Sequence, residues 1–236
     1  MPARLEVFAP GSIWFTPYTT KAPAGLRFPC RTVVVRLASG ALLLHSPGPI
    51  DDALAAELAE LGPVEHLVAP NSFHHLHASA VKARYPDATL WAPPGLRQKV
   101  PGLAIDATLG EGAPPPWGDE LACVLVEAGP KMCEAVFHHA PTRTLLVTDL
   151  VFNLRAVDGW WTRTVLRLVG AFGSMQQSRL WRRFTRDRDA ARAAVERVLR
   201  WDIDHVVPSH GAPISGPEAR EALTGALWWM RGAARP

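Results

Sequence analysis

Apolar positions along this chain switch between a period of two and a period near 3.6, and the switches predict the elements. Residues 31–37 (RTVVVRL) are β-branched and bounded by Pro29 and by Ser39-Gly40. Residues 41–45 (ALLLH) follow that two-residue turn, so the pair predicts a hairpin within a stretch, 5–44, that is mostly β. Ser46-Pro47-Gly48-Pro49 ends the strand. Asp51 or Asp52 then caps a helix with Leu54, Leu58 and Leu61 at helical spacing, closed by Gly62-Pro63. A strand over 64–69, a helix over about 73–85 and a strand over 88–92 follow. This alternation of helix and strand predicts layered α/β structure.

Residues 93–118 are rich in proline and glycine and predict a long surface connection. Strands resume over 121–127, 134–138 and 144–148, the last two joined by Ala140-Pro141-Thr142 as an antiparallel hairpin. Residues 159–200 are helical in pattern: 160–172 is unusually apolar, and 187–201 sets Ala190, Ala193, Ala194, Val198 and Leu199 near one face. A strand over 203–207 and a helix over about 216–231 complete the chain.

The 236 residues suffice for a core without staples. The net charge of +3 is too mild to point to nucleic acid. Cys30, Cys123 and Cys133 are odd in number and widely spaced, which fits reduced thiols. No leader and no spanning run of about 20 apolar residues is visible, so a soluble, cytoplasmic protein is expected. GxSxG, P-loop and dinucleotide fingerprints are absent from the sequence.

Three places carry candidate chemistry. His74, His75 and His77 crowd into four residues after an apolar strand; imidazole is the commonest metal ligand, although a polar helix start would look the same. Asp149 follows the apolar strand 144–148. A carboxylate buried there must be paired or must ligate a cation, unless it only caps a turn. His210, in Pro208-Ser209-His210-Gly211, ends another β-branched strand. All three place a ligand-type residue just past a strand end, where open sheets build sites.

These segments resemble the metallo-β-lactamase fold superfamily over roughly residues 30–215. HLVAPNSFHHLHA resembles its strand-to-helix HxHxDH motif, TLLVTDLVF its aspartate strand and VVPSHG its terminal histidine turn. The resemblance implies an αββα sandwich of two mixed β-sheets flanked by helices. We expect a single domain over 1–236 with a helical insertion or lid at about 155–185. The first motif is altered: Pro70 and Ser72 occupy its first two histidine positions, His74 replaces its aspartate, and His75 keeps its last histidine. The family's middle histidine finds no match at Gly129-Pro130-Lys131, and His138 and His139 come too late.

One of the two family metal sites is thus stripped, and the resemblance implies one divalent metal held by His74, His75, Asp149 and His210. Zinc is the first expectation, iron or manganese the others. The implied activity is hydrolysis by metal-bound hydroxide of an ester, amide, thioester or phosphoester in a small-molecule substrate. His74 and Asp149 would be catalytic, and Asn71 or His77 would donate to the oxyanion. The alternative is a degenerate, metal-free fold that binds a ligand or partner. His45 sits where the superfamily often has an aspartate, either near the site or merely at a strand end. The segment 159–186, aromatic and then arginine-rich, is either a lid or dimer helix or a weak membrane contact.

Overall fold

The computed structural model describes residues 5–129 and 132–234. Pro130 and Lys131, where the middle histidine was sought, lie outside the described residues. The chain divides into two compact units, residues 1–18 with 30–120 and residues 19–29 with 121–236.

A seven-stranded sheet runs in chain order: β1 (Glu6–Ala9), β2 (Ile13–Ala22), β3 (Leu26–Arg36), β4 (Leu42–His45), β5 (Val64–Val68), β6 (Thr89–Ala92) and β7 (Ala107–Thr108). The predicted hairpin is β3–β4, antiparallel with Val34 opposite Leu44. From β4 onward the strands are parallel, because each connection contains a helix: α1 (Asp52–Leu61), α2 (Ala78–Arg84) and α3 (Leu96–Lys99). Asp51 caps α1, its Oδ1 accepting from the Leu54 N–H at 2.8 Å. Gly62 ends the helix at φ +155°, where a Cβ would lie 2.3 Å from the Gly40 carbonyl oxygen, so only glycine fits. The core of this unit gathers Leu44, Leu54, Leu58, Leu67, Val81 and Leu90.

The second unit holds a five-stranded sheet in the order β12 (Ile214–Ser215), β11 (His205–Pro208), β10 (Thr144–Val147), β9 (Met132–His139), β8 (Leu121–Gly129). β9 and β10 form the expected antiparallel hairpin, and β10 pairs parallel with β11. Among the described residues, this unit carries the α-helices α4 (Trp160–Leu168), α5 (Arg179–Phe184), α6 (Arg188–Val198) and α7 (Pro217–Ala226). Ala191, Ala194, Val195 and Val198 of α6 pack with Val124, Val147 and Val206 of the sheet. The fold class expected from the sequence is therefore found: two mixed sheets flanked by helices.

Two expectations are corrected. Residues 93–118, expected as a long surface connection, do not run wholly over the surface: they contain α3 and β7, and bury Leu96, Leu103, Ile105, Leu109 and Trp117. These apolar residues are spaced too irregularly among prolines and glycines to show a period. The helix expected from about 73 begins only at Ala78, so His74 and His77 do not share a helix face.

Leu44 is fully buried in β4. Leu44→Ala should cost about 2–5 kcal/mol in chemical denaturation, whereas a loss within error would place the core elsewhere.

Candidate metal centre

The loop that delays α2 is built by Asn71. Its Oδ1 accepts from the backbone N–H of Phe73 at 2.7 Å and of His74 at 2.9 Å. This side-chain turn competes with the helical hydrogen-bond pattern and holds residues 71–77 in turns. The Asn71 side-chain oxygen is thereby committed to shaping the loop that carries His74. His74 is buried, and its Nδ1 lies 2.6 Å from the Ser46 Oγ. With its proton on Nδ1 the ring donates to that hydroxyl, and Nε2 carries the lone pair.

Ser46 follows β4 in the left-handed region at φ +55°. The residue before it, His45, is fully buried. Burial above all, with the neighbouring His74 second, pulls the His45 pKa down to about 3. It is neutral at any ordinary pH.

Asp149 stands two residues past β10. The backbone N–H groups of Thr148 and Asp149 donate to the two carboxylate oxygens of Glu134, at 2.7 and 2.8 Å. Trp181 Nε1 donates to the Asp149 carbonyl at 2.7 Å. Glu134 itself is fully buried in β9. Burial and then the Asp149 carboxylate raise its pKa to about 7, against the backbone and side-chain hydrogen bonds it receives. Glu134 was missed in the sequence, where a lone glutamate in an apolar strand was the only signal. Such a carboxylate needs partners, and here they are main-chain N–H groups.

His210 follows β11 and is buried between two rings, stacked on Phe152 at 5.1 Å and edge-on to Phe28 at 6.2 Å. Its Nδ1 lies 2.9 Å from the Pro29 carbonyl. A carbonyl can only accept, so Nδ1 carries a proton and donates. In the neutral ring Nε2 then holds a lone pair, and it faces Asp149 Oδ1 at 3.4 Å. Two acceptors at that distance require a proton or a cation between them. Next in the chain, Gly211 adopts φ +99°, where a Cβ would meet the Asn153 carbonyl oxygen at 2.0 Å. Asn153 N–H donates to the His210 carbonyl at 3.1 Å, and the Ala212 N–H donates to the Asn153 carbonyl at 3.1 Å. The glycine thus allows the close approach that stitches down the histidine turn.

Among the described residues, His74, Asp149 and His210 each offer one ligand atom, and these atoms all lie within 4.8 Å of one another. Two nitrogens and one carboxylate oxygen make a donor set suited to zinc, iron or manganese. His75 is not in this group. Its pKa is lowered by burial first and by Lys99 second, the Ser72 backbone acting the other way. His77 precedes α2 and packs edge-on to Tyr18 at 5.5 Å. His138 stacks on Trp201 at 5.2 Å, with its Nε2 2.8 Å from the Asp202 carbonyl, and His139 Nδ1 lies 2.7 Å from Thr142 Oγ1. The group therefore draws on one of the three clustered histidines.

The sheets and their order give the chain the fold of the metallo-β-lactamases. It is similar to a metallo-β-lactamase from Pontibacter korlensis at 14% identity, over 95% of this chain and 98% of that one, with a TM-score of 0.63. A metallo-β-lactamase from Hirschia baltica matches at 13% identity over 98% of both chains, with a TM-score of 0.62. FIM-1 from Pseudomonas aeruginosa, solved in a mono-zinc form, matches at 14% identity over 94% and 93%, with a TM-score of 0.59. More narrowly, the chain belongs to the family described as a domain of unknown function, DUF4336, whose model matches residues 10–158. No curated protein matches it.

Glu134→Ala removes the acceptor of one buried and one half-buried main-chain N–H group, and should cost about 1–3 kcal/mol; an unchanged melting temperature would show that the strand end needs no such support. His45 gives a second expectation. Unfolded, it titrates near 6.5; folded, it stays neutral down to about 3. The unfolded chain therefore binds more protons through that window, and stability falls as pH drops below about 6.5. His45→Gln should flatten this fall in urea denaturation followed against pH, and an unaltered slope would contradict the assignment.

Proposed function

We propose that this chain is a single-cation hydrolase, with His74, Asp149 and His210 holding one divalent ion, zinc first. The observation that carries the reading is the convergence of three ligand atoms within 4.8 Å from three separate segments. The lone pair that His210 Nε2 turns toward Asp149 favours it as well. When bound, such an ion lowers the pKa of water toward about 7 and polarises a carbonyl or phosphoryl oxygen.

The chain's own groups do the rest. The Pro29 carbonyl sets the tautomer of the neutral His210 ring, so that its Nε2 carries no proton, and the Ser46 hydroxyl holds the His74 ring through Nδ1. Glu134 fixes the main chain at Asp149 and orients the carboxylate. Asn71 shapes the loop bearing His74. The ring of Phe152 covers one face of His210 and limits water there. The substrates that suit this arrangement are small esters, amides, thioesters or phosphoesters.

A second reading rests on the same 3.4 Å contact. If Nε2 of His210 carries a proton, it pairs with Asp149 directly and the fold is a metal-free relic. Mass-spectrometric metal analysis after zinc loading and dialysis decides between them. The hydrolase reading expects close to one zinc per chain, lost in Asp149→Ala and in His210→Ala with circular dichroism unchanged. Below about 0.1 zinc per wild-type chain, or with zinc retained by both variants, the relic or another site is correct.

A further inference from the structure

Residues 159–186 contain six arginines, at 163, 167, 179, 182, 183 and 186, and no lysine or carboxylate. With a chain net charge of +3, everything outside this segment sums to −3 (3 − 6). All six arginines are exposed. The same segment exposes large apolar side chains: Trp160 at 76%, Leu168 at 65%, and Trp161, Leu180 and Phe184 at 40–44%.

The arrangement is ordered. α4 buries Thr162 and Leu166, the latter against Phe152 and Leu154, so Trp160, Thr164 and Leu168, four residues apart, line its outer face. Arg163 and Arg167 flank that line. α5 is joined to the end of α4 by the Arg179 N–H, which donates to the Val169 carbonyl at 2.7 Å, and by Arg179 Nη1, which donates to the Leu168 carbonyl at 3.2 Å. Buried Trp181 anchors α5 and leaves Leu180 and Phe184 outward, one turn apart. Trp161 Nε1 donates to the Ala24 carbonyl at 3.1 Å, which ties its ring to its own unit.

We propose that α4 and α5 form a docking face for an anionic lipid surface. Tryptophan and leucine would enter the headgroup boundary while the arginines contact lipid phosphates. A second copy is a poor occupant, since a two-fold interface would set six arginines against six without a carboxylate among them. Nucleic acid would satisfy the arginines but leave Leu168 and Leu180 in water. No described helix is long and apolar enough to cross a membrane, so the contact is peripheral.

The test is flotation of the full chain with phosphatidylcholine vesicles, with and without phosphatidylglycerol. Binding is expected on the anionic vesicles alone and should weaken with salt. Trp160→Ser/Leu168→Ser should lose about tenfold or more, and Arg163→Gln/Arg167→Gln about fivefold per arginine. Unchanged melting temperatures would show that these exposed substitutions leave the fold intact. Absent or composition-independent flotation overturns the proposal. So do single-stranded DNA binding that ignores Trp160→Ser, and a dimer that the same variant dissolves.

Discussion

Much of this site follows from a single hydrogen bond with only one possible direction. The Pro29 carbonyl accepts, so His210 Nδ1 must donate. The other nitrogen is thereby turned, with its lone pair, toward the Asp149 carboxylate. Electron density facing electron density is unfavourable unless a positive charge lies between, and a proton or a divalent cation are the two answers. The wider structure keeps that juxtaposition from relaxing. Gly211 allows the turn to approach Asn153, Phe152 stacks on the ring, and Glu134 fixes the chain at Asp149.

The support of Asp149 has its own cost. A fully buried carboxylate with a pKa raised to about 7 is electrostatically strained, and it is held by the two main-chain N–H groups at the strand end that donate to it. The same logic operates at the histidine loop, where Asn71 gives up its carbonyl oxygen to two backbone groups and a helix loses its first turn. In both places a polar side chain outweighs regular secondary structure for the sake of one neighbouring ligand-type residue.

What could be read in the chain follows from how local each signal is. Asp149 and His210 were legible because each ends an apolar strand, and that pattern is visible within six or seven residues. Most of the strands were legible for the same reason, whereas their division into two sheets followed from the resemblance. His74 was found, and His75 was set beside it as a ligand because the resemblance aligns it with the last histidine of the family motif; the Asn71 turn that delays the helix is a matter of hydrogen-bond competition and leaves no such local pattern. Glu134 was out of reach: its partners, Thr148 and Asp149, lie 14 and 15 residues away, and nothing nearby marks the pairing. α3 and β7 hid among prolines and glycines, where burial is set by tertiary packing and leaves no period. The arginine-rich segment was legible as composition, whereas the division of α4 into a buried line and an exposed one needed coordinates.

The central claim is that a cation, and not a shared proton, lies between His210 and Asp149. It is tested most directly by X-ray diffraction at the zinc absorption edge, on crystals grown with zinc near neutral pH. The account predicts one strong anomalous peak about 2 Å from a nitrogen of His74, a nitrogen of His210 and an oxygen of Asp149. A map with no peak there, and with His210 Nε2 within hydrogen-bond distance of the carboxylate, would contradict it.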